Sequence, residues 1–393
     1  MPEQPDSGYI ISVTGLETYR ALTDAFADSY KPALAAELLA ARHATIMVCI
    51  NAATLAALAP LHQRYGLRLW RDQTYHYMTG TMAAFRALLV RWPHAADPEL
   101  GAALAQALGV PFRLALEVPW LGAAPEGWGQ GPVLMGIVNV TPDSFSDGGQ
   151  FSTPSTAVRH ALQLVAAGAS ILDIGGESTR PGAAAVPIAE ELNRVLPVIR
   201  AVARETQTPI SIDTYKPEVA EAALESGATI VNDITGLTNP KMTALVAKTG
   251  VPAIIMHMQG TPQTMQDAPV YEDVMADVLT WLDKAGQQAI AAGVRPEQII
   301  IDPGVGFGKT VEHNLEILAR SGDFLRLGYP VLIGASRKSV VGKVLNLPVT
   351  DRREGTAATV AMSVLQGADI IRVHDVEQMR RVSIMTQAML RRG

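Results

Sequence analysis

Polar side chains recur in this chain at one kind of place, the end of a short β-branched apolar run. Asn139 closes the run 133–139, Asp173 lies in 170–175, Asp213 closes 210–213, and Asn232-Asp233 close 229–233. His257 closes 253–257, Asp302 closes 299–302, Ser336-Arg337-Lys338-Ser339 follow 331–334, and Arg372 and His374 flank the end of 370–373. One Asp or Asn after a strand reads as a helix cap or turn residue. A whole set that joins carboxylates and amides to Lys338, Arg372 and His374 instead has the composition of a site for a polyanion and a heterocycle.

The elements that must position this set are eight βα repeats. Each run is followed by an Ala/Leu/Glu-rich amphipathic stretch, as at 155–167, 189–205, 217–225, 271–292 and 353–366. The repeats predict a (β/α)8 barrel of the α/β class over 132–393, with the active site at the C-terminal ends of the strands. An open doubly wound sheet is the alternative, but eight uninterrupted units favour closure. Two loops at that rim, 141–149 and 173–182, carry glycines and charged tips, including Asp143, Asp147, Glu177 and Arg180, and read as mobile lids. Strand alternation places Arg372 and His374 on one side.

Residues 1–120 differ in character. Apolar runs at 9–13, 45–50 and 112–116 alternate with helical patterns near 33–41, 54–61 and 99–108, predicting a small separate α/β domain. The Gly/Pro-rich stretch 121–131 reads as its linker to the barrel.

Several function classes are excluded on spacing or composition. The loop Gly304-Val305-Gly306-Phe307-Gly308-Lys309 is not a Walker loop, which would need glycine where Pro303 stands, nor a dinucleotide fingerprint, which would need glycine where Lys309 stands. His160, His257, His313 and His374 fall in no zinc spacing. The single cysteine, Cys49, lies in an apolar run and reads as a small buried hydrophobe. A net charge of −6, without basic clusters, gives no nucleic-acid footprint. No apolar run is long enough to span a bilayer, and Glu3 and Asp6 precede any sustained apolar run, so a cytoplasmic enzyme is expected.

The string from Met135 to Gly149, MGIVNVTPDSFSDGG, resembles the opening signature of the dihydropteroate synthases. The similarity continues through 173–182, 213–217, 231–233, 256–260, 302–309, 336–339 and 372–376, covering about 131–393. The resemblance implies condensation of 6-hydroxymethyl-7,8-dihydropterin pyrophosphate with p-aminobenzoate, by a homodimer that uses Mg²⁺. Carried over by position, it implies that Asp213, Asn232, Met256, Asp302, Lys338 and Arg372 bind the pterin. Asn139 with the metal, Thr179, Arg180, Arg372 and His374 would hold pyrophosphate. Phe145, Thr179, Pro181, Phe307, Lys338 and Ser339 would surround p-aminobenzoate, and Asp147, Asp213 and Lys338 would serve catalysis. Val305 stands where the family often has an aromatic. A folate-dependent methyltransferase of similar barrel is disfavoured by 179–182 and 336–339, and a non-catalytic pterin-binding paralogue by the intact set of site residues.

Overall fold

In the computed structural model of the chain, the described residues are 10–12, 45–50, 56, 67–71, 76–81, 85, 88, 89, 101, 132–140, 154–178 and 183–390. The linker at 121–131, the first lid at 141–149 and residues 179–182 of the second lie outside them, as do most of the helical patterns expected before residue 120. Two units separate, one centred on Met1–Leu116 and the other on Glu117–Phe324 with Tyr329–Gln387.

The second unit is a barrel. Its strands, in chain order, are β5 (Val133–Asn139), β6 (Ile171–Gly175), β7 (Ile210–Asp213), β8 (Ile230–Asp233), β9 (Ala253–Met256), β10 (Ile299–Asp302), β11 (Leu332–Ile333) and β12 (Ile370–Val373). All pair in parallel, in the order β10-β9-β8-β7-β6-β5-β12-β11. The two ends of that order meet through a parallel bridge between Ile301 and Val331, where Ile301 N–H donates to the Pro330 carbonyl at 2.9 Å, so no edge is left open.

Near-continuous Ile and Val runs suit strands buried on both faces. Inside the barrel, Val133, Met135, Ile171, Ile230, Ile254, Ile300, Leu332 and Ile370 form one apolar layer. Because successive side chains alternate across a strand, the residues two positions further on also point inward, one level higher. Those residues are Asp173, Asn232, Met256, Asp302, Gly334 and Arg372, with Asp213 beyond Ser211 on β7. The apolar floor therefore dictates which polar groups form the layer above it.

The surrounding helices are α1 (Pro154–Ala166), α2 (Ile188–Glu205), α3 (Pro217–Glu225), α4 (Pro240–Thr249), α5 (Val274–Ala291), α6 (Val311–Ala319), α7 (Ser339–Leu345), α8 (Arg353–Leu365) and α9 (Val376–Leu390). In α2, Glu191, Val195, Val198, Ile199 and Val202 are buried at the three- and four-residue spacing of a single helix face. Side-chain caps start α4, α5 and α6: Asn239, Asp273 and Thr310 accept from backbone N–H groups of Lys241, Ala276 and His313.

In the first unit, β1 (Ile10–Ser12), β2 (Thr45–Ile50), β3 (Arg68–Arg71) and β4 (His76–Thr81) form an antiparallel sheet in the order β1-β2-β4-β3. Met78, Phe85, Leu88 and Leu89 are buried in its core.

Candidate active site

The centre of the site is an ion cluster that joins β12 to β6 and β7 across the barrel, with β8 beside it. Arg372 of β12 donates from Nε to Asp173 Oδ2 of β6 at 2.6 Å and from Nη2 to Asp213 Oδ2 of β7 at 2.7 Å. Asn232 Nδ2 of β8 donates to the same Asp173 Oδ2 at 3.1 Å. That bond fixes the amide's orientation, since an amide oxygen turned toward the carboxylate would be repelled. Asn232 therefore has its carbonyl oxygen left to accept. Asp173 Oδ1 and Asp213 Oδ1 are buried with no hydrogen-bond partner, a costly condition for acceptors and one expected where a ligand completes the set.

Two carboxylates share one guanidinium here, and the charge of Asp173 favours a proton on Asp213. Burial, with the adjacent Asp173 charge, raises Asp213 from the ordinary carboxylate range to about 7, although Arg372 works against the shift. Burial likewise raises Asp302, opposed first by Lys338. Lys338 moves the other way, lowered by burial to about 8 despite the attraction of Asp302. Arg372 is held charged by Asp173 and Asp213 against its own desolvation.

The segment after β10 forms a stiff wall. Gly304 has φ +68°, and a Cβ there would lie 1.9 Å from the His257 carbonyl oxygen, so only glycine fits. Five successive carbonyls of this loop each accept from a side chain: Val305 from Lys338, Gly306 from Gln266 at 2.9 Å, Phe307 from Lys309 at 2.9 Å, Gly308 from Tyr271 at 2.7 Å, and Lys309 from Asn314 at 3.3 Å. Phe307 packs with Ile234, Met256 and Met265, with Tyr215 and Met258 alongside. The Lys338 ammonium lies 4.6 Å from the Phe307 ring centre. The residue before Lys338, Arg337, adopts φ +56°, held by its N–H bond to Thr356 Oγ1 at 3.1 Å and a two-pronged contact with Asp375 at 2.9 and 2.5 Å.

Asp213, Asn232, Met256, Asp302, Lys338, Arg372 and Phe307 thus converge on one end of the barrel. Asn139 closes β5 beside Gly175, half-buried. His374 lies just past β12, with Nδ1 3.0 Å from Ser336 Oγ, and Ser339 opens α7 exposed. Phe145, Asp147, Thr179, Arg180 and Pro181 lie outside the described residues.

Three expectations change. His257 is not on the rim: the strand ends at Met256, and the next side chain turns outward, where Nδ1 lies 2.9 Å from Lys309 Nζ and the ring packs edge-on against Trp281. Asp233 turns outward too, and its carboxylate accepts from Thr235 N–H and Oγ1 and from Leu237 N–H, a structural cap. Glu177 is not an unanchored lid carboxylate, because Lys216 and the Tyr215 hydroxyl already hold it. Lys216 also binds the Val186 carbonyl at 2.6 Å and Glu191 at 2.5 Å, and Arg194 binds the Gly176 carbonyl at 2.7 Å, so both ends of the second lid loop are pinned. Asp173 is the site residue that sequence reasoning left without a role, though it stands two positions after the inward Ile171.

Comparison with known proteins adds independent findings. Residues 135–374 match the family model described as Pterin binding enzyme. The chain is 47% identical over 259 residues to the dihydropteroate synthase of Escherichia coli (strain K12), which spans 66% of this chain and 92% of that protein. It resembles Xanthomonas albilineans dihydropteroate synthase solved with 4-aminobenzoic acid, with TM-score 0.63 and 45% identity over 66% of this chain and 93% of that one. The same enzyme in complex with 7,8-dihydropteroate aligns with TM-score 0.61 and 42% identity, over 66% and 94%.

Proposed function

We infer the division of labour at this barrel mouth from the premise that the chain belongs to the pterin-binding enzyme family and catalyses dihydropteroate synthesis. It joins 6-hydroxymethyl-7,8-dihydropterin pyrophosphate to p-aminobenzoate and releases pyrophosphate. The observation that carries the assignment of residues is the polar layer above the apolar floor, with unpartnered oxygens on Asp173 and Asp213 and an amide oriented to accept at Asn232.

The donor-rich edge of the pterin is taken by Asp302 and the Asn232 carbonyl oxygen, with Met256 against the ring face and Lys338 at the ring's carbonyl and N5. Arg372 keeps Asp213 beside the ring by its 2.7 Å bond. His374, Asn139, Thr179, Arg180 and Arg372 take the pyrophosphate. Phe307, Lys338 and Ser339, with Phe145, Thr179 and Pro181, surround p-aminobenzoate.

In the reaction the C–O bond to pyrophosphate breaks ahead of attack, its electron pair leaving with the pyrophosphate oxygen. Positive charge develops on the pterin, where the carboxylates of Asp213 and Asp147 oppose it. The neutral aniline nitrogen then forms the new C–N bond and afterwards gives up a proton.

Asn139 offers a single amide oxygen, and the described residues bring no three His, Cys, Asp or Glu side chains together. Such a sparse donor set fits Mg²⁺, which commonly keeps its waters and binds through few protein groups plus substrate phosphates. When bound, Mg²⁺ supplies positive charge to the leaving group.

Two coarser features complete the proposal. Val344, Leu345, Met362, Leu365, Ile384 and Met385 are exposed on α7, α8 and α9, apolar surface that supports a homodimer, checked by light scattering of the purified chain. No described helix is long and apolar enough to cross a membrane, and a cytoplasmic location is proposed with it. The whole assignment is tested by incubating the protein with dihydropterin pyrophosphate, p-aminobenzoate and Mg²⁺. Mass spectrometry should find dihydropteroate together with released pyrophosphate. Absence of condensed product from folded protein would remove it.

A further inference from the structure

The turn between β11 and α7 carries a residue that its backbone does not favour. Lys338 N–H donates to the Ala335 carbonyl at 3.2 Å, which closes the turn Ala335-Ser336-Arg337-Lys338. Its third residue, Arg337, stands at φ +56°. Glycine takes a left-handed conformation at that place in a turn without strain, whereas a residue with a side chain does not. Such strain persists where surrounding contacts over-determine the backbone. Arg337 is therefore kept in the turn by what its side chain holds.

The side chain leads to the loop after β12. The Arg337 guanidinium donates from Nε and Nη2 to the two carboxylate oxygens of Asp375 at 2.9 and 2.5 Å. The Asp375 side chain is 9% exposed, and the other cation beside it, Arg353 of α8, approaches only to 3.8 Å. One residue earlier in each loop a second tie runs parallel to the first. Ser336 Oγ lies 3.0 Å from His374 Nδ1 and accepts from the His374 N–H at 3.2 Å. Arg352 holds the turn from below, donating to the Arg337 carbonyl at 3.0 Å and to the Lys338 carbonyl at 3.3 Å. Two consecutive side chains of one loop thus grip two consecutive residues of the other, and the two-pronged contact fixes direction as well as distance.

We propose that Arg337 and Asp375 are a positioning pair that locks the turn bearing Lys338 and Ser339 to the turn bearing His374, so that the groups for p-aminobenzoate and for pyrophosphate keep one spacing. Arg337 acts through Lys338 and Ser339, and Asp375 through His374. The inference rests on the reading of Ser339 as a p-aminobenzoate residue and of His374 as a pyrophosphate residue. Asp302 and Asn232 stand on β10 and β8, outside the clamp, so the donor edge of the pterin does not depend on it.

The test compares the full chain unaltered, as Arg337→Gly, as Asp375→Asn and with both changes. Glycine relieves the strain at φ +56°, so a loss in Arg337→Gly cannot come from an unfavourable backbone. Each single variant should raise the KM for p-aminobenzoate about tenfold and weaken binding of pyrophosphate with Mg²⁺ to a similar degree, a coupling usual between contacting residues. The double variant should also lose about tenfold, because either change alone already breaks the pair. At saturating p-aminobenzoate kcat should stay within about threefold, and the affinity for 6-hydroxymethyl-7,8-dihydropterin without its pyrophosphate should be unchanged. Unaltered constants in the folded single variants would overturn the proposal, as would a loss of about a hundredfold in the double variant, which would mean two independent roles. An equal loss of dihydropterin affinity would mark a fold-wide effect and reject it too. Should both single variants fail to fold by circular dichroism, the pair serves stability and the positioning role is likewise rejected. If Ser339→Ala and His374→Ala leave the p-aminobenzoate KM and the pyrophosphate affinity unchanged, it is the underlying reading of the two subsites that fails.

Discussion

At the scale of single residues, the layer of polar groups makes two expectations quantitative. On the proposed assignment Asn232→Ala and Asp302→Ala each remove an acceptor from the pterin's donor edge, and each buried donor left unmet should cost about 1–3 kcal/mol. Isothermal titration with the pterin substrate should show that loss while circular dichroism reports an intact barrel, and normal affinity in either folded variant would sink the assignment. The second expectation concerns pH. Asp213, raised to about 7, gains its carboxylate as pH rises, whereas Lys338, lowered to about 8, loses its ammonium. If the proposed roles hold, with the carboxylate stabilising pterin charge and the ammonium meeting the ring carbonyl, kcat/KM for the pterin substrate should fall on both sides of a maximum between those values. Asp213→Asn should abolish the acid limb and lower the rate on the order of 100-fold, comparable to loss of one preorganised electrostatic contact. Lys338→Met should abolish the alkaline limb. The sign for stability is opposite on the acid side: a carboxyl raised by burial stabilises the fold when protonated, and that contribution fades as pH climbs through about 7. Much of this site was legible because strand alternation places inward every second residue after a recognisable apolar position. Asp302 follows Ile300 and Arg372 follows Ile370 in the same way that Asp173 follows Ile171. What sequence did not yield was the outward side of the same rule, which sends Asp233 and His257 into the helix layer, and the identity of the partners they find there.

Elements differ in how they are held, and the second lid loop shows how. Lys216 bridges Glu177 before the loop, the Val186 carbonyl after it, and the fully buried Glu191 of α2. Burial works against the charge of Lys216, yet hydrogen bonds to Glu177 and Glu191 raise it above the ordinary lysine range. Lys216→Met would therefore strand Glu191 in the interior without a cation, at a cost of about 3–5 kcal/mol. For a barrel of this size each kcal/mol should lower the melting temperature by about 2–4 °C. Adding Glu191→Gln removes the stranded charge, so the double variant should melt above the single one. A double variant that melts no higher would show that Lys216 acts through something other than charge. The strands themselves were readable almost to the residue, because β-branched runs ending in Asp, Asn or Gly leave little freedom of register. β3 and β4 escaped notice, since Arg68–Arg71 and His76–Thr81 mix charged or polar residues with apolar ones. In an antiparallel sheet that alternation pairs a buried face, marked by Met78, with an exposed one. The pinning of Glu177 could not be read from spacing at all, because its partners lie 38 and 39 positions away in sequence.

Considered whole, the molecule carries all of its proposed site residues in one unit. Every proposed site residue lies at Asn139 or beyond, and the barrel closes on itself through Ile301 and Val331 without contribution from the sheet of the first unit. The Escherichia coli dihydropteroate synthase is matched over 92% of its own length by 259 residues of this chain, and the matching family model falls within 135–374. We therefore propose that residues 1–120 form a separate domain, joined through 121–131, that is dispensable for turnover. A fragment beginning near residue 121 should retain kcat and the pterin KM within about threefold of the full chain, a change of about 0.6 kcal/mol in the barrier. Its solubility is a separate matter. The measurement is steady-state pyrophosphate release by fragment and full chain side by side, after thermal melting has shown both to be folded. The decisive unfavourable result is a folded fragment that binds the pterin substrate with unchanged affinity but releases no pyrophosphate when p-aminobenzoate is added. Pterin affinity reports the inner layer alone, so that combination would require residues 1–120 to act on the second substrate or on the loops that enclose it.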